Sequence, residues 1–215
     1  MFCYIPRNKI LLVITTYAIA CILSACRVEP SNQTTEWVNQ IKPRIREGDI
    51  VFRKGNSTAS QAVTWSGGPE EIYSHVGLVV YNTLTNKLEI CHAVPGESAD
   101  KIDVVKTDPI EEFFKPTKAF AGMIVRVQCD DSTARQAARY AFQQYLNKKA
   151  FDHDYNMYDT SSMYCTELVM CAYKTIGIDL IEDRIRHLHI PKFTGDFIFP
   201  SAITESKYIN LISKY

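Results

Sequence analysis

Two β-rich runs, His75 to Tyr81 and Lys87 to Val94, are separated only by the turn residues 82–86. A connection this short suits a hairpin of antiparallel strands, whereas a parallel pair needs a crossover of a dozen or more residues. Other short strands surround the pair. Gly48 to Arg53 reads as a turn and a strand, Ile102 to Val105 as a third strand after the hairpin, and Met123 to Val127 as another. Asn56-Ser57-Thr58 can cap a helix from Ala59 to Trp65, which Gly67-Gly68-Pro69 breaks. Asp108-Pro109 opens a short helix through Phe114. Asp131-Ser132 caps a long helix with Ala134, Ala137, Ala138, Ala141, Phe142 and Tyr145 at helical spacing, and a second runs from about Ser162 to Thr175. Strands in the middle followed by long helices imply an α+β domain built on an antiparallel sheet.

Composition removes several classes. The chain has 46% hydrophobic residues and 24 basic against 24 acidic side chains, too apolar and too evenly charged for a disordered chain. No basic excess exists to neutralise phosphates, which argues against nucleic acid as a partner. Seven cysteines without a C-x-x-C pair suggest neither a disulfide scaffold nor a zinc ribbon. No internal repeat or second linker follows residue 40, so one domain around one core is expected.

The first 25 residues read as an export signal. Arg7 and Lys9 precede an apolar run from Ile10 to Leu23, and Leu23-Ser24-Ala25-Cys26 resembles the lipobox of bacterial lipoproteins. That resemblance implies cleavage before Cys26, acylation of its thiol and new amine, and localisation to the bacterial envelope as a periplasmic or outer-membrane lipoprotein. The alternative is an uncleaved membrane helix, since the apolar run is nearly long enough to span. Residues 26–40 then read as the lipidated Cys and a polar tether, and 41–215 as the folded domain, with a small negative net charge. In an oxidising compartment Cys91, Cys129, Cys165 and Cys171 could form two disulfides.

Cys165 lies in Ser161-Ser162-Met163-Tyr164-Cys165-Thr166-Glu167-Leu168-Val169, where the serines can cap a helix starting just before the thiol. Free N–H groups at a helix start stabilise thiolate over thiol, and the same groups can stabilise the oxyanion formed when a thiolate attacks a carbonyl. Leu168, Val169 and Ala172 share its helical face, so a packed core cysteine fits the spacing equally well. A nucleophilic thiol needs an imidazole. His75 opens the first strand of the hairpin and His92 lies near the end of the second, so pairing brings them to neighbouring strand ends, where one ring can orient the other. Half-buried histidines bonded to backbone would look the same. His153 lies in a polar loop, and His187 and His189 alternate as on an extended segment. Zinc held by His75, His92 and Cys165 has suitable ligand types but no spacing signature.

Gly48-Asp49-Ile50-Val51-Phe52, Tyr73-Ser74-His75-Val76-Gly77-Leu78, His92-Ala93-Val94-Pro95 and Tyr164-Cys165-Thr166-Glu167-Leu168-Val169, in that order, resemble the YiiX/YebB-like group over residues 44–175. These are circularly permuted members of the NlpC/p60 superfamily of papain-like cysteine hydrolases. The resemblance implies a permuted papain-like fold with a central antiparallel sheet or partial barrel flanked by helices. It makes Cys165 the nucleophile, His75 the general base and His92 the third member, with no cofactor and no metal. Tyr164 and Ser74 become substrate-lining residues, and Glu167 a helix or rim residue. The third position is usually Glu in this group; the His here is more like lecithin retinol acyltransferase and its relatives. Glu89 would point to the opposite strand face and is a poor substitute. The expected activity is hydrolysis of an amide, in a cell-wall peptide or another small peptide or N-acyl substrate, through a thioester. Acyl transfer or ester cleavage on an acyl-lipid substrate is the alternative. A non-catalytic lipoprotein that binds a ligand would use the same scaffold.

Overall fold

The computed structural model describes residues 30–97, 102–190 and 193–215. The hairpin forms: β2 (His75–Asn82) pairs antiparallel with β3 (Lys87–Ala93), with Leu78 opposite Cys91 and Asn82 opposite Lys87. Beyond β2 lie β1 (Ile50–Lys54), β5 (Ala121–Val127) and β10 (Ile209–Lys214). β4 (Val105–Asp108) closes the other edge. The six-stranded order is β10-β5-β1-β2-β3-β4, antiparallel throughout. This is the α+β architecture expected.

The sheet is covered on both faces, so the one-core expectation gives way to two apolar layers. On one face, Phe52, Leu78 and Cys91 meet helix α4 (Asp131–Leu146) through Ala137, Ala138 and Ala141, and helix α5 (Cys165–Lys174) through Leu168, Val169 and Ala172. On the other, Val51, Val79, Ile90 and Ile124 meet Trp37 and Ile41 of helix α1 (Pro30–Ile41) and Phe113 and Phe114 at the short helix α3 (Ile110–Phe113). A strand buried on both sides has no reason to alternate. β2 is buried at seven of its eight positions, which explains the imperfect polar pattern of the hairpin.

Some bounds differ from those read in the sequence. The polar stretch read as a tether is helical from Pro30, and Trp37 fastens it by donating to Ser213 Oγ at 2.8 Å, so packed structure begins before residue 41. The strand expected at 102–105 lies at 105–108, because Ile102 is exposed and the register to β3 starts at Val105 opposite Ala93. Helix α2 (Thr58–Ser66) starts as expected, with Ser57 accepting from the Ser60 N–H. The cap of α4 is Asp130, whose carboxylate accepts from the N–H groups of Ser132 and Thr133. Cys26 lies outside the described residues.

The Gly48-Asp49 pair serves the scaffold. Gly48 has φ +86°, and a Cβ there would lie 2.7 Å from the Ala134 Cβ, so a larger residue would drive α4 off the sheet. The buried Asp49 carboxylate accepts from Arg126 Nε at 2.7 Å and Nη2 at 2.8 Å, fixing β1 to β5. After β6 (Ala150–Phe151) and β7 (Ser162–Met163), which pair in parallel, the chain enters α5. After α5, the hairpin of β8 (Arg186–Ile190) and β9 (Phe193–Phe197) leads to the short helix α6 (Pro200–Thr204). Among the described residues no helix is long and apolar enough to cross a membrane.

Candidate active site

Cys165 is the first residue of α5, with Tyr164 as the N-cap. Ser161 and Ser162 do not cap this helix, because both hydroxyls donate to Asp159 Oδ2. Glu167 reaches back instead: its carboxylate accepts from the Tyr164 N–H at 3.0 Å. That buried bond closes the first turn and leaves the Cys165 N–H among the helix-start groups without an intrahelical acceptor. Leu168, Val169 and Ala172 anchor the helix in the core, while Cys165 itself is only partly buried. The cysteine packs against this core without being sealed inside it.

Its sulfur rests against the strand that carries His75. Burial pushes the Cys165 thiol pKa up. The N–H of Val76, the Thr166 hydroxyl and N–H, and the Arg53 charge all act in the opposite direction. Val76 directly follows His75, so the start of β2 and the start of α5 meet at the thiol. The pairing of β2 with β3 then places the two imidazoles together: His75 Nε2 lies 2.8 Å from His92 Nδ1. Gly77 makes room between them, since a Cβ there would lie 2.6 Å from Ile90 Cγ2 and 3.2 Å from His92 Cβ.

A carboxylate that sequence reading missed completes the chain of bonds. Asp108, at the end of β4, places Oδ2 3.1 Å from His92 Nε2 and 2.9 Å from Lys106 Nζ. In the sequence it reads as the opener of a short helix. Its role follows from register, which sets His92 opposite Lys106 and Ile90 opposite Asp108, so that His92 and Asp108 are diagonal neighbours on one face. Glu89 points to the other face, as expected, where it accepts from Asn82 and Thr85.

The surroundings keep both rings neutral. Burial, then the charges of Arg53, His92, Lys106 and Lys118, hold His75 well below the usual imidazole range. Burial pushes His92 down to about 4 despite its bond to Asp108. Burial would raise Asp108, but the His92 bond and the Lys106 ammonium outweigh it and hold the carboxyl well below its ordinary value. Phe113 packs under the pair: its ring stacks on His75 at 5.7 Å and meets the His92 edge at 5.1 Å. Arg53 lies over the same ring at 4.7 Å, donates to the Phe113 carbonyl and is ion-paired with Glu97. At rest the thiol and both imidazoles are neutral, with ionised partners next to the histidine pair.

Cys165 opens onto a cavity of about 120 Å³ that Ser74, Tyr164 and Thr166 also line. The remaining wall is mostly apolar: Val63 of α2 on one side, and Leu188, Phe197 and Phe199 from the β8–β9 hairpin and the segment after it on the other. Tyr164 turns its hydroxyl to the Ile198 N–H, and Ser74 Oγ accepts from the Gly55 N–H at 2.8 Å. Ser74 and Tyr164 thus share one cavity wall with Cys165.

The other candidates lie apart. His153 is exposed and pairs with Asp103; His187 pairs with Asp196 at 2.8 Å beside His189. Cys91, Cys129, Cys165 and Cys171 are all free thiols. Among the described residues no group of three or more His, Cys, Asp or Glu is arranged to hold a metal ion. His92 has both ring nitrogens engaged, one facing His75 and one facing Asp108, which removes it as a zinc ligand.

Residues 44–191 match the family model described as a permuted papain-like amidase enzyme, YaeF/YiiX. A solved structure described as metalloprotein yiiX from Escherichia coli O157:H7 superposes with a TM-score of 0.62 at 18% identity, covering 79% of this chain and 97% of that one. The comparison with curated proteins finds no match.

Proposed function

Since this chain belongs to the permuted papain-like amidase family and is a cysteine hydrolase of that kind, we propose that Cys165 is its nucleophile, His75 its general base and His92 the group that orients His75. The observation that carries this reading is the position of Cys165. It is a partly buried cysteine at a helix start, lining an apolar cavity, with its sulfur against the N–H of Val76 on the strand that His75 opens.

In this mechanism His75 takes the thiol proton as the sulfur attacks the substrate carbonyl carbon. The carbonyl electron pair moves to oxygen, where the free Cys165 N–H stabilises the oxyanion. On collapse the carbon–nitrogen bond breaks, the leaving amine takes the proton from His75, and a thioester remains on Cys165. Water then attacks the thioester, giving its proton to His75, and the carboxylic acid leaves as the proton returns to sulfur.

Amide cleavage in a small peptide or N-acyl substrate is the primary reading. The apolar wall formed by Val63, Leu188, Phe197 and Phe199 favours a substrate with an apolar acyl portion, so esters and acyl-lipid substrates form the second reading. The Escherichia coli structure is described as a metalloprotein. Among the described residues of this chain no cluster of His, Cys, Asp or Glu fits a metal centre. The test is Cys165→Ala in the full chain. A thiol-directed acyl probe is expected to label the wild type and not the variant, and amide hydrolysis is expected to fall by more than about 10³-fold. Equal labelling of both proteins would overturn the assignment.

The Leu23-Ser24-Ala25-Cys26 sequence supports anchoring through a lipidated Cys26 on an envelope membrane. Tryptic mass spectrometry of the membrane fraction is expected to find an acylated Cys26 as the N-terminus, and Cys26→Ser to release the protein. An intact Met1 terminus in that fraction would favour the uncleaved helix.

A further inference from the structure

We infer that Asp108 is a positioning residue of the reaction: its carboxylate dictates the tautomer of His92, and through it the tautomer of His75, so that the lone pair of His75 Nδ1 is the base offered to the Cys165 thiol. This rests on the reading of Cys165 and His75 as nucleophile and base.

The inference follows from counting protons along two contacts. An ionised carboxylate only accepts, so the 3.1 Å contact between Asp108 Oδ2 and His92 Nε2 requires the proton on His92 Nε2. A neutral imidazole has one N–H, which leaves His92 Nδ1 bare. The 2.8 Å contact between that nitrogen and His75 Nε2 is then a bond in which His75 donates. His75, also neutral, is left with a bare Nδ1. This is the ring nitrogen nearer its own backbone, and the Val76 N–H places the sulfur beside that stretch of backbone. When the thiol gives its proton to Nδ1, His75 becomes imidazolium, and its Nε2–H still donates to His92. No further proton moves, and the Asp108 charge stabilises the cation across an intervening ring. Lys106, the other partner of the carboxylate, keeps Asp108 ionised and on the strand. Without Asp108, His92 is free to carry its proton on Nδ1. His75 Nε2 would then have to accept, and the His75 proton would move to Nδ1, blocking the base.

The experiment reads tautomers and turnover separately. Nitrogen-15 spectra of the full-length Cys165→Ala protein, labelled at histidine, are expected to show both His75 and His92 protonated at Nε2 at neutral pH. Adding Asp108→Ala is expected to move His92, His75 or both to the Nδ1–H form or to a mixture. In the otherwise wild-type enzyme, Asp108→Ala should lower kcat by on the order of 10²-fold with KM little changed, the lower end of what general acid–base catalysis supplies. Asp108→Asn keeps an acceptor for His92 Nε2–H and should restore both the tautomers and most of the turnover. Lys106→Met should leave the tautomers in place. Unchanged tautomers in Asp108→Ala, or an Asp108→Asn protein as poor as Asp108→Ala with native tautomers, would overturn the inference. Failure of the nucleophile assignment has a different signature: Cys165→Ala retains turnover while the tautomers still follow Asp108.

Discussion

Of the α1 side chains that join this helix to the sheet, Trp37 is the largest, beside Val38 and Ile41. Its ring lies 5.0 Å from Phe114 and 4.5 Å from Tyr215, its N–H reaches Ser213, and it is buried. Trp37→Ala removes this packing and leaves a hole beneath Phe114, the residue after α3. Urea unfolding of the full chain is expected to show a loss of about 3–5 kcal/mol, in the range of large aromatic truncations. A loss below about 1 kcal/mol would mean that α1 contributes little to the domain. At this scale the legibility of the site was uneven. Cys165, His75 and His92 stood out because thiol and imidazole are scarce side chains and their neighbours carried family motifs. Asp108 did not stand out, being one of 24 acidic residues and well suited to start a helix before Pro109. Its task is visible only once β4 is paired with β3, because the bond to His92 crosses strands.

Elements were read well where local chemistry alone fixes them. The turn 82–86, the Ser57 cap and the alanine face of α4 each encode their structure within a few residues. Reading faltered where a distant partner decides. The two serines before Cys165 look like caps, yet Asp159 takes both hydroxyls, and Glu167 closes the turn from the other direction. Cys165 is the first helical residue, as a helix starting just before the thiol requires, with its own N–H free for an oxyanion. The polar stretch before residue 41 misleads for the same reason: α1 is held by Trp37, Val38 and Ile41 against residues far along the chain. A sheet covered on both faces blurred the period-two pattern, so strand ends shifted and β10 went unread, while the β2–β3 hairpin stayed recoverable.

Taken as a whole, the molecule sets two groups of buried acids and bases against each other. Burial raises both Glu71 and Glu167 to about 7, so between 4.5 and 7 the folded protein holds protons that the unfolded chain releases. Their contribution to stability is therefore full below about pH 4.5 and lost as pH rises through 7. The histidines act the other way. With His92 pushed down to about 4 and His75 well below 6.5, the unfolded chain takes up protons that the folded one refuses, so their contribution is present above 6.5 and lost as pH falls. In the overlap the opposing slopes offset one another, and stability should vary little with pH. Glu167→Gln separates them, since its amide oxygen can still accept the Tyr164 N–H while the side chain no longer titrates. Between pH 5 and 8 the variant is expected to gain stability relative to wild type, by up to roughly 1.4 kcal/mol for each pH unit of the window. Urea midpoints measured for both proteins at several pH values would check this. Parallel curves would mean that Glu167 is ionised in the folded state and that the start of α5 is more open to water than its burial implies.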